Sequence, residues 1–141
     1  MKVFTDDEMN ALLPNLRPYS VAILKAGPQF GKDGSQAIIW EHGRRNFGLR
    51  DDGVLAIVLP VADGSEVCGI GVFAATVEET AAIMNDDPGV RAAVFTFEVH
   101  PCGGFSRGFP PLAGFSPNSL RSCAFWLVLW SAHCSRKALH R

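Results

Sequence analysis

His42 is the side chain in this sequence with the clearest potential for acid–base chemistry. An imidazole exchanges protons near neutral pH and serves as a general acid or base. His42 follows Ile39 by three residues and Ile38 by four, so a helix would place all three on one face. The same pattern also describes a partly buried structural histidine whose ring bonds a backbone carbonyl. The residues alone leave both interpretations open.

Two features near His42 are candidates for binding a substrate. Arg44 and Arg45 lie two and three residues after it, and a guanidinium can bind a carboxylate through two parallel hydrogen bonds. Such arginines are also common as solvated groups on the polar face of a helix. Gly27-Pro28 follows the first predicted strand and either forms a backbone wall at the mouth of a pocket or simply ends the strand.

Other kinds of site are not indicated by the sequence. It contains no phosphate-binding loop, dinucleotide fingerprint or Ser-His-Asp motif. The four cysteines form no CxxC pair and lack the spacing of zinc ligands, which favours free thiols. We therefore predict neither a metal nor a cofactor.

Charge and targeting signals give a second set of exclusions. The formal net charge is −1, which does not predict a nucleic-acid partner. The N-terminus becomes acidic where a signal peptide is apolar. The apolar run Cys123–Ala132 has ten residues, and a helix that spans a membrane needs about 20. We expect a cytoplasmic protein without a membrane span.

The predicted elements that would position His42 alternate between strands and helices. Thr5 and Glu8, like Thr76 and Glu79, have the spacing of a capping box at the start of a helix. After the N-terminal helix, the predicted elements are strand Tyr19–Leu24, helix Gln36–Leu49, strands Val54–Val61 and Val67–Ala74, a helix that follows Thr76, and strand Val90–Val99. This βαββαβ order predicts an α+β, ferredoxin-like fold, with a four-stranded antiparallel sheet and two helices on one face.

The last predicted strand suggests how the other face of the sheet is covered. Alternation places Phe95, Phe97 and Val99 together on one side. A large apolar face rarely stays in water, so we expect two copies to pair through their open sheet faces. The prediction is a homodimer.

These features together resemble the YciI-like (YCII-related) family of small dimeric α+β-barrel proteins. The resemblance runs from about Tyr19 to Cys102 and depends on short motifs in a fixed order. The motifs are Ala26-Gly27-Pro28, Glu41-His42, Asp52-Gly53, the strand Gly69–Phe73, Thr76–Glu79, Asp86–Val90 and Phe95–Pro101. The glycine- and arginine-rich segment after His42 departs from the family pattern, as does everything beyond Pro101.

The resemblance implies a catalytic pair and a reaction class. The family's histidine corresponds to His42 and its aspartate to Asp87, and Asp87 would orient the imidazole or stabilise its charged form. Some relatives are dehydrochlorinases that act on chlorinated ring-cleavage products. We expect elimination or isomerisation of a small organic acid, with Gly27, Pro28 and Arg45 binding the substrate. The alternative is a non-catalytic dimeric module that binds a metabolite or supports a partner protein, in which Asp87 merely caps a turn.

The chain divides into three predicted segments, of which the last is atypical. Residues 1–18 form a helical extension, residues 19–102 the YciI-like domain, and residues 103–141 a tail. All 14 acidic residues precede the tail. A shifted reading frame after about Phe105 would explain this change of composition. The competing hypothesis is an amphipathic helix, Ser119–Ala132, that covers a sheet edge or touches a membrane.

Overall fold

The computed structural model describes residues 1–105, and the predictions for the tail beyond Phe105 lie outside the described residues. Within these residues, four helices and four strands follow one another with one short 3-10 turn, Leu13–Asn15, after the first helix. Their bounds are α1 Asp6–Leu12, β1 Arg17–Ala26, α2 Ser35–Asp51, β2 Leu55–Pro60, β3 Val67–Phe73, α3 Val77–Asn85, α4 Pro88–Arg91 and β4 Phe95–Gly104.

The strands form a four-stranded antiparallel sheet in the order β2-β3-β1-β4. This confirms the predicted α+β class, and the arrangement is consistent with a ferredoxin-like fold. On β1, Ser20, Ala22 and Leu24 alternate as buried residues, and the hydroxyl of Ser20 is hydrogen-bonded to that of Thr80 on α3. α2, α3 and α4 therefore pack on the face of the sheet that carries these side chains.

Both predicted capping boxes are present. Thr76 accepts a hydrogen bond from the backbone N–H of Glu79, and the Glu79 carboxylate accepts one in return from the backbone of Thr76. Thr5 and Glu8 make the same reciprocal pair at the start of α1. Each box satisfies two backbone donors that a helix N-terminus leaves without partners, so the sequence pattern located these two helix starts correctly.

The last strand differs from its predicted bounds. Val90 lies in α4, and β4 begins only at Phe95 but continues to Gly104. The side chain of Asp87 accepts hydrogen bonds from the backbone of Gly89 and Val90, and Pro88 has the backbone angle that a first helical residue requires. This cap starts one helical turn where the apolar residues alone suggested a strand.

The apolar side of β4 also lies opposite to the prediction, which placed Phe95, Phe97 and Val99 on the open face of the sheet. The register pairs Phe97 with Leu24 and Val99 with Ala22, and residues directly paired across strands point to the same side. Phe95, Phe97 and Val99 therefore face the helices. The sequence pattern separated the two faces of the strand but carried no information on which face the helices cover.

Gly27 is required where the end of β1 approaches the chain just before β4. Its N–H donates to the carbonyl of Val94 over 2.8 Å, and a Cβ atom on Gly27 would lie 2.5 Å from the carbonyl oxygen of Ala93. Backbone atoms cannot turn aside as a flexible side chain can. Close packing at this point therefore excludes any residue larger than glycine.

We expect Gly27→Ala to lower the free energy of unfolding by about 2 kcal/mol, because the added methyl group forces two backbone segments apart. Gly48→Ala is the matched control. Gly48 lies within α2 and a Cβ there meets no atom within 4 Å, so alanine should raise stability by about 0.5–1 kcal/mol. Urea unfolding of both variants measures the difference, and equal stabilities would contradict this account of Gly27.

Candidate active site

His42 and Asp87 come together although 45 residues separate them in the chain. Nδ1 of His42, on α2, lies 2.8 Å from Oδ2 of Asp87, which caps α4. The two residues are 4% and 0% exposed. The ring of Phe95 packs against the imidazole with 5.1 Å between ring centroids. The pair is thus buried and held in place by neighbouring side chains.

Asp87 divides its two oxygens between two tasks. Oδ1 accepts hydrogen bonds from the N–H groups of Gly89 and Val90, and Oδ2 faces His42. Burial opposes ionisation of the carboxyl, but the hydrogen bonds that it accepts from His42 and from the two backbone N–H groups hold the pKa of Asp87 below its usual value. Asp87 is therefore a stable anion beside the imidazole.

The second ring nitrogen of His42 also has a partner, Asn46. Nδ2 of Asn46 lies 2.9 Å from Nε2 of His42. An amide nitrogen can only donate, so Nε2 accepts, and the proton of the neutral ring lies on Nδ1, from where it is donated to Asp87. Asn46 was not among the residues predicted from the sequence. Its spacing of four residues from His42, which brings side chains together on a helix, was the available signal.

Arg45 contacts the end of α3 and lies near Asp87. Its Nη2 donates to the carbonyl of Ile83 over 2.8 Å, and its Nη1 lies 3.8 Å from Oδ2 of Asp87. Nη1 is buried and has no hydrogen-bond partner in the described part of the chain. In this position the guanidinium joins α2 to the end of α3 and adds positive charge behind Asp87.

A cavity of about 40 Å³ lies between α2 and the sheet. A single buried water needs about 10–15 Å³, so the cavity accepts a group of a few non-hydrogen atoms. Its lining consists of Ala22, Leu24, His42, Asn46, Leu55, Val58, Leu59, Pro60, Gly69, Ile70, Gly71, Phe73 and Met84. Ala22, Gly69 and Gly71 border the cavity with small or no side chains, and a Cβ atom on Gly71 would lie 2.9 Å from the ring of Phe73.

Of the site residues predicted from the sequence, only His42 lines the cavity. His42 reaches it directly, whereas Asp87 lies behind the imidazole and does not. Gly27, Pro28 and Arg45 are not part of the lining either. Gly27 packs against the segment before β4, and Pro28 is exposed. The structure thus brings together the predicted acid–base pair but not the residues predicted to bind the substrate.

Within residues 1–105, no cluster of three or more metal-ligating side chains occurs. In the same part of the chain, no helix has both the length and the apolar character needed to cross a membrane. The chain matches no protein-family model, and a search of curated proteins finds no relative. The resemblance to YciI-like proteins therefore stays a prediction, and any functional assignment depends on the geometry of the site.

The lowered pKa of Asp87 predicts how stability depends on pH. The carboxyl has an ordinary pKa of 3.8, which we take for the unfolded chain. Because the folded-state pKa is lower, the stabilisation is complete well above this value and is lost as the pH falls through the folded-state pKa. Asp87→Asn keeps an oxygen that can cap α4 but removes the charge. We expect it to lower the free energy of unfolding at pH 7 by roughly 1–3 kcal/mol.

Asp86→Asn is the control for this experiment, because Asp86 is an exposed neighbour whose ion pairs are long. Its effect at pH 7 should stay within about 0.5 kcal/mol. The difference in stability between the wild type and Asp87→Asn should shrink as the pH falls below 4 in urea titrations. A difference that is independent of pH would show that the Asp87 charge does not stabilise the fold.

Proposed function

We propose that this protein is a small YciI-like enzyme that uses His42 and Asp87 for general acid–base chemistry on a small organic acid. One observation carries the proposal: the imidazole lies between a buried carboxylate on one side and an apolar cavity on the other. A carboxylate that holds Nδ1–H leaves Nε2 as the basic atom, and Nε2 is the atom that must meet a substrate proton.

The proposed reaction is an elimination or an isomerisation. Nε2 takes a proton from a carbon of the substrate, and the positive charge that develops on the ring is stabilised by Asp87. In an elimination, the electron pair of the C–H bond forms the new double bond, and the leaving group departs from the adjacent carbon with its own pair. In an isomerisation, the proton returns to a different carbon. Neither reaction requires an added oxidant or reductant.

We further propose that two copies pair through their open sheet faces to form a dimeric α+β barrel. The face opposite the helices carries Val21 beside Val72 and Ile23 beside Ile70, as the strand register requires. At its β4 margin, Lys25 lies 3.4 Å from Glu98. An apolar centre with charges of both signs at the margin suits a twofold interface, in which the same patch meets itself.

A second candidate is the non-catalytic module that binds a metabolite. The bond from Asn46 to Nε2 favours it, because a histidine with both ring nitrogens occupied can be a structural residue. Catalysis requires Nε2 to become free, whereas binding does not. Turnover is therefore the property that separates the two candidates.

For the enzyme, we expect His42→Gln to abolish turnover and Asp87→Asn to reduce kcat by about 10²–10⁴-fold, because the imidazole then loses the partner that orients it. The measurement is a screen of small organic acids and chlorinated lactones for chloride release or a shift in ultraviolet absorbance. Asp86→Asn serves as the control with full activity. Ligand binding without turnover by any substrate would favour the binding module instead.

For the dimer, we expect Ile23→Lys to convert the protein into a monomer, because the lysine places a charge at the centre of the open sheet face. Phe47→Lys is the matched control, since Phe47 is an exposed apolar residue on α2, away from this face. Sedimentation velocity should give about half the wild-type mass for Ile23→Lys and the wild-type mass for Phe47→Lys. Equal masses for both variants would contradict the proposed interface.

A further inference from the structure

The cavity contains only two hydrogen-bonding side chains within the described lining, and they are bonded to each other. Nδ2 of Asn46 donates to Nε2 of His42 over 2.9 Å, and both residues border the cavity. The other lining side chains are apolar or absent, and none of them is charged. A ligand that enters the cavity therefore finds one amide donor, one basic nitrogen and apolar walls.

This lining selects for an uncharged group. Transfer of a carboxylate into an apolar space without a counter-ion is strongly unfavourable. The nearest guanidinium, that of Arg45, is engaged with Ile83 and lies near Asp87 on the far side of His42. A carboxylate elsewhere on the substrate would therefore stay outside the cavity. The part that enters must be apolar apart from a hydrogen-bond acceptor for Asn46.

We propose that Asn46 binds the carbonyl oxygen of a small uncharged ketone or lactone group and thereby releases Nε2 of His42 as the base. This inference rests on the proposed acid–base function and names the chemical group on which it acts. In the free protein, the side-chain N–H of Asn46 donates to the lone pair of Nε2. A carbonyl oxygen competes for this same N–H group. Binding of the correct ligand thus exposes the base, whereas a hydrocarbon without an acceptor leaves it covered.

The same hydrogen bond has a role in the reaction. Nε2 takes a proton from the carbon next to the carbonyl, and the electron pair of that C–H bond moves into the new carbon–carbon double bond. The carbonyl π electrons move onto oxygen, where the Asn46 N–H stabilises the enolate. The imidazolium then returns the proton to another carbon, or a leaving group departs. Donors placed at a developing oxyanion contribute about 10²–10³-fold to kcat.

The test uses two related lactones and one anion. α-Angelica lactone is a reactive probe, because removal of its acidic proton and reprotonation at the far end of the dienolate give a conjugated isomer that absorbs in the ultraviolet. γ-Butyrolactone is an unreactive analogue for binding. γ-Hydroxybutyrate, its hydrolysed form, has nearly the same atoms but carries a negative charge.

We expect γ-butyrolactone to shift the side-chain amide resonances of Asn46 and the Nε2 resonance of His42 in ¹⁵N NMR spectra of the wild-type protein. γ-Hydroxybutyrate should shift neither at the same concentration. Equal binding of the anion, or lactone binding that leaves the Asn46 amide resonances unmoved, would overturn the proposal. This part of the test requires no substitution and so does not depend on the folding of a variant.

Substitutions then test the role of the amide. Asn46→Leu and Asn46→Asp both remove the N–H donor, and each should lower kcat for α-angelica lactone by about 10²-fold while the Nδ1–H resonance of His42 stays visible. Asn85→Leu, an exposed position at the end of α3, is the control and should retain full activity. Wild-type kcat in both Asn46 variants would overturn the proposal.

The inference and the proposed function can fail separately. If γ-butyrolactone moves the Asn46 resonances but α-angelica lactone is not isomerised by the wild type, the assignment of the ligand group is supported and the acid–base function is contradicted. If α-angelica lactone is isomerised in a His42-dependent reaction that both Asn46 variants carry out at the wild-type rate, the acid–base function is supported and the role of Asn46 is wrong.

Discussion

Both the fold and the candidate site depend on the hydrogen bonds that the Asp87 carboxylate accepts. One oxygen caps the single turn of α4, and the other holds the ring of His42. A buried anion is unfavourable unless several donors surround it, and here the backbone of α4, the imidazole and the nearby Arg45 guanidinium supply that environment. The turn that Asp87 caps therefore also fixes the position of the His42 ring.

The cavity beside His42 is bordered by sheet positions that carry little or no side chain. Ala22, Gly69 and Gly71 face the helices with little or no side chain, while Phe73 and Met84 fill the surrounding volume. A small apolar cavity strengthens electrostatic effects, because few water dipoles can reorganise within it. The hydrogen bonds that His42 and Asn46 make to a bound molecule are therefore stronger here than they would be in water.

Sequence patterns predicted the local features better than the long-range ones. The capping boxes at Thr5 and Thr76 depend on residues three apart, and both were correct. The side of β4 that carries Phe97 depends on where the helices pack, which alternation alone cannot reveal. The link between Asp87 and His42 joins two distant segments, so it came from the family resemblance and not from spacing. Asn46 follows His42 by four residues, a spacing that places both side chains on one face of a helix. It was not predicted, because asparagine is common on helix surfaces.

The shared carboxylate also links the dynamics of the site to those of the backbone. The amide protons of Gly89 and Val90 are bonded to the same carboxyl group that holds His42, and α4 is too short to protect them by its own helical bonds. Their exchange with solvent deuterium therefore reports how often Asp87 leaves its place. Hydrogen exchange at Gly89 and Val90, which lie outside the cavity lining, thus measures how stably Asp87 holds the imidazole.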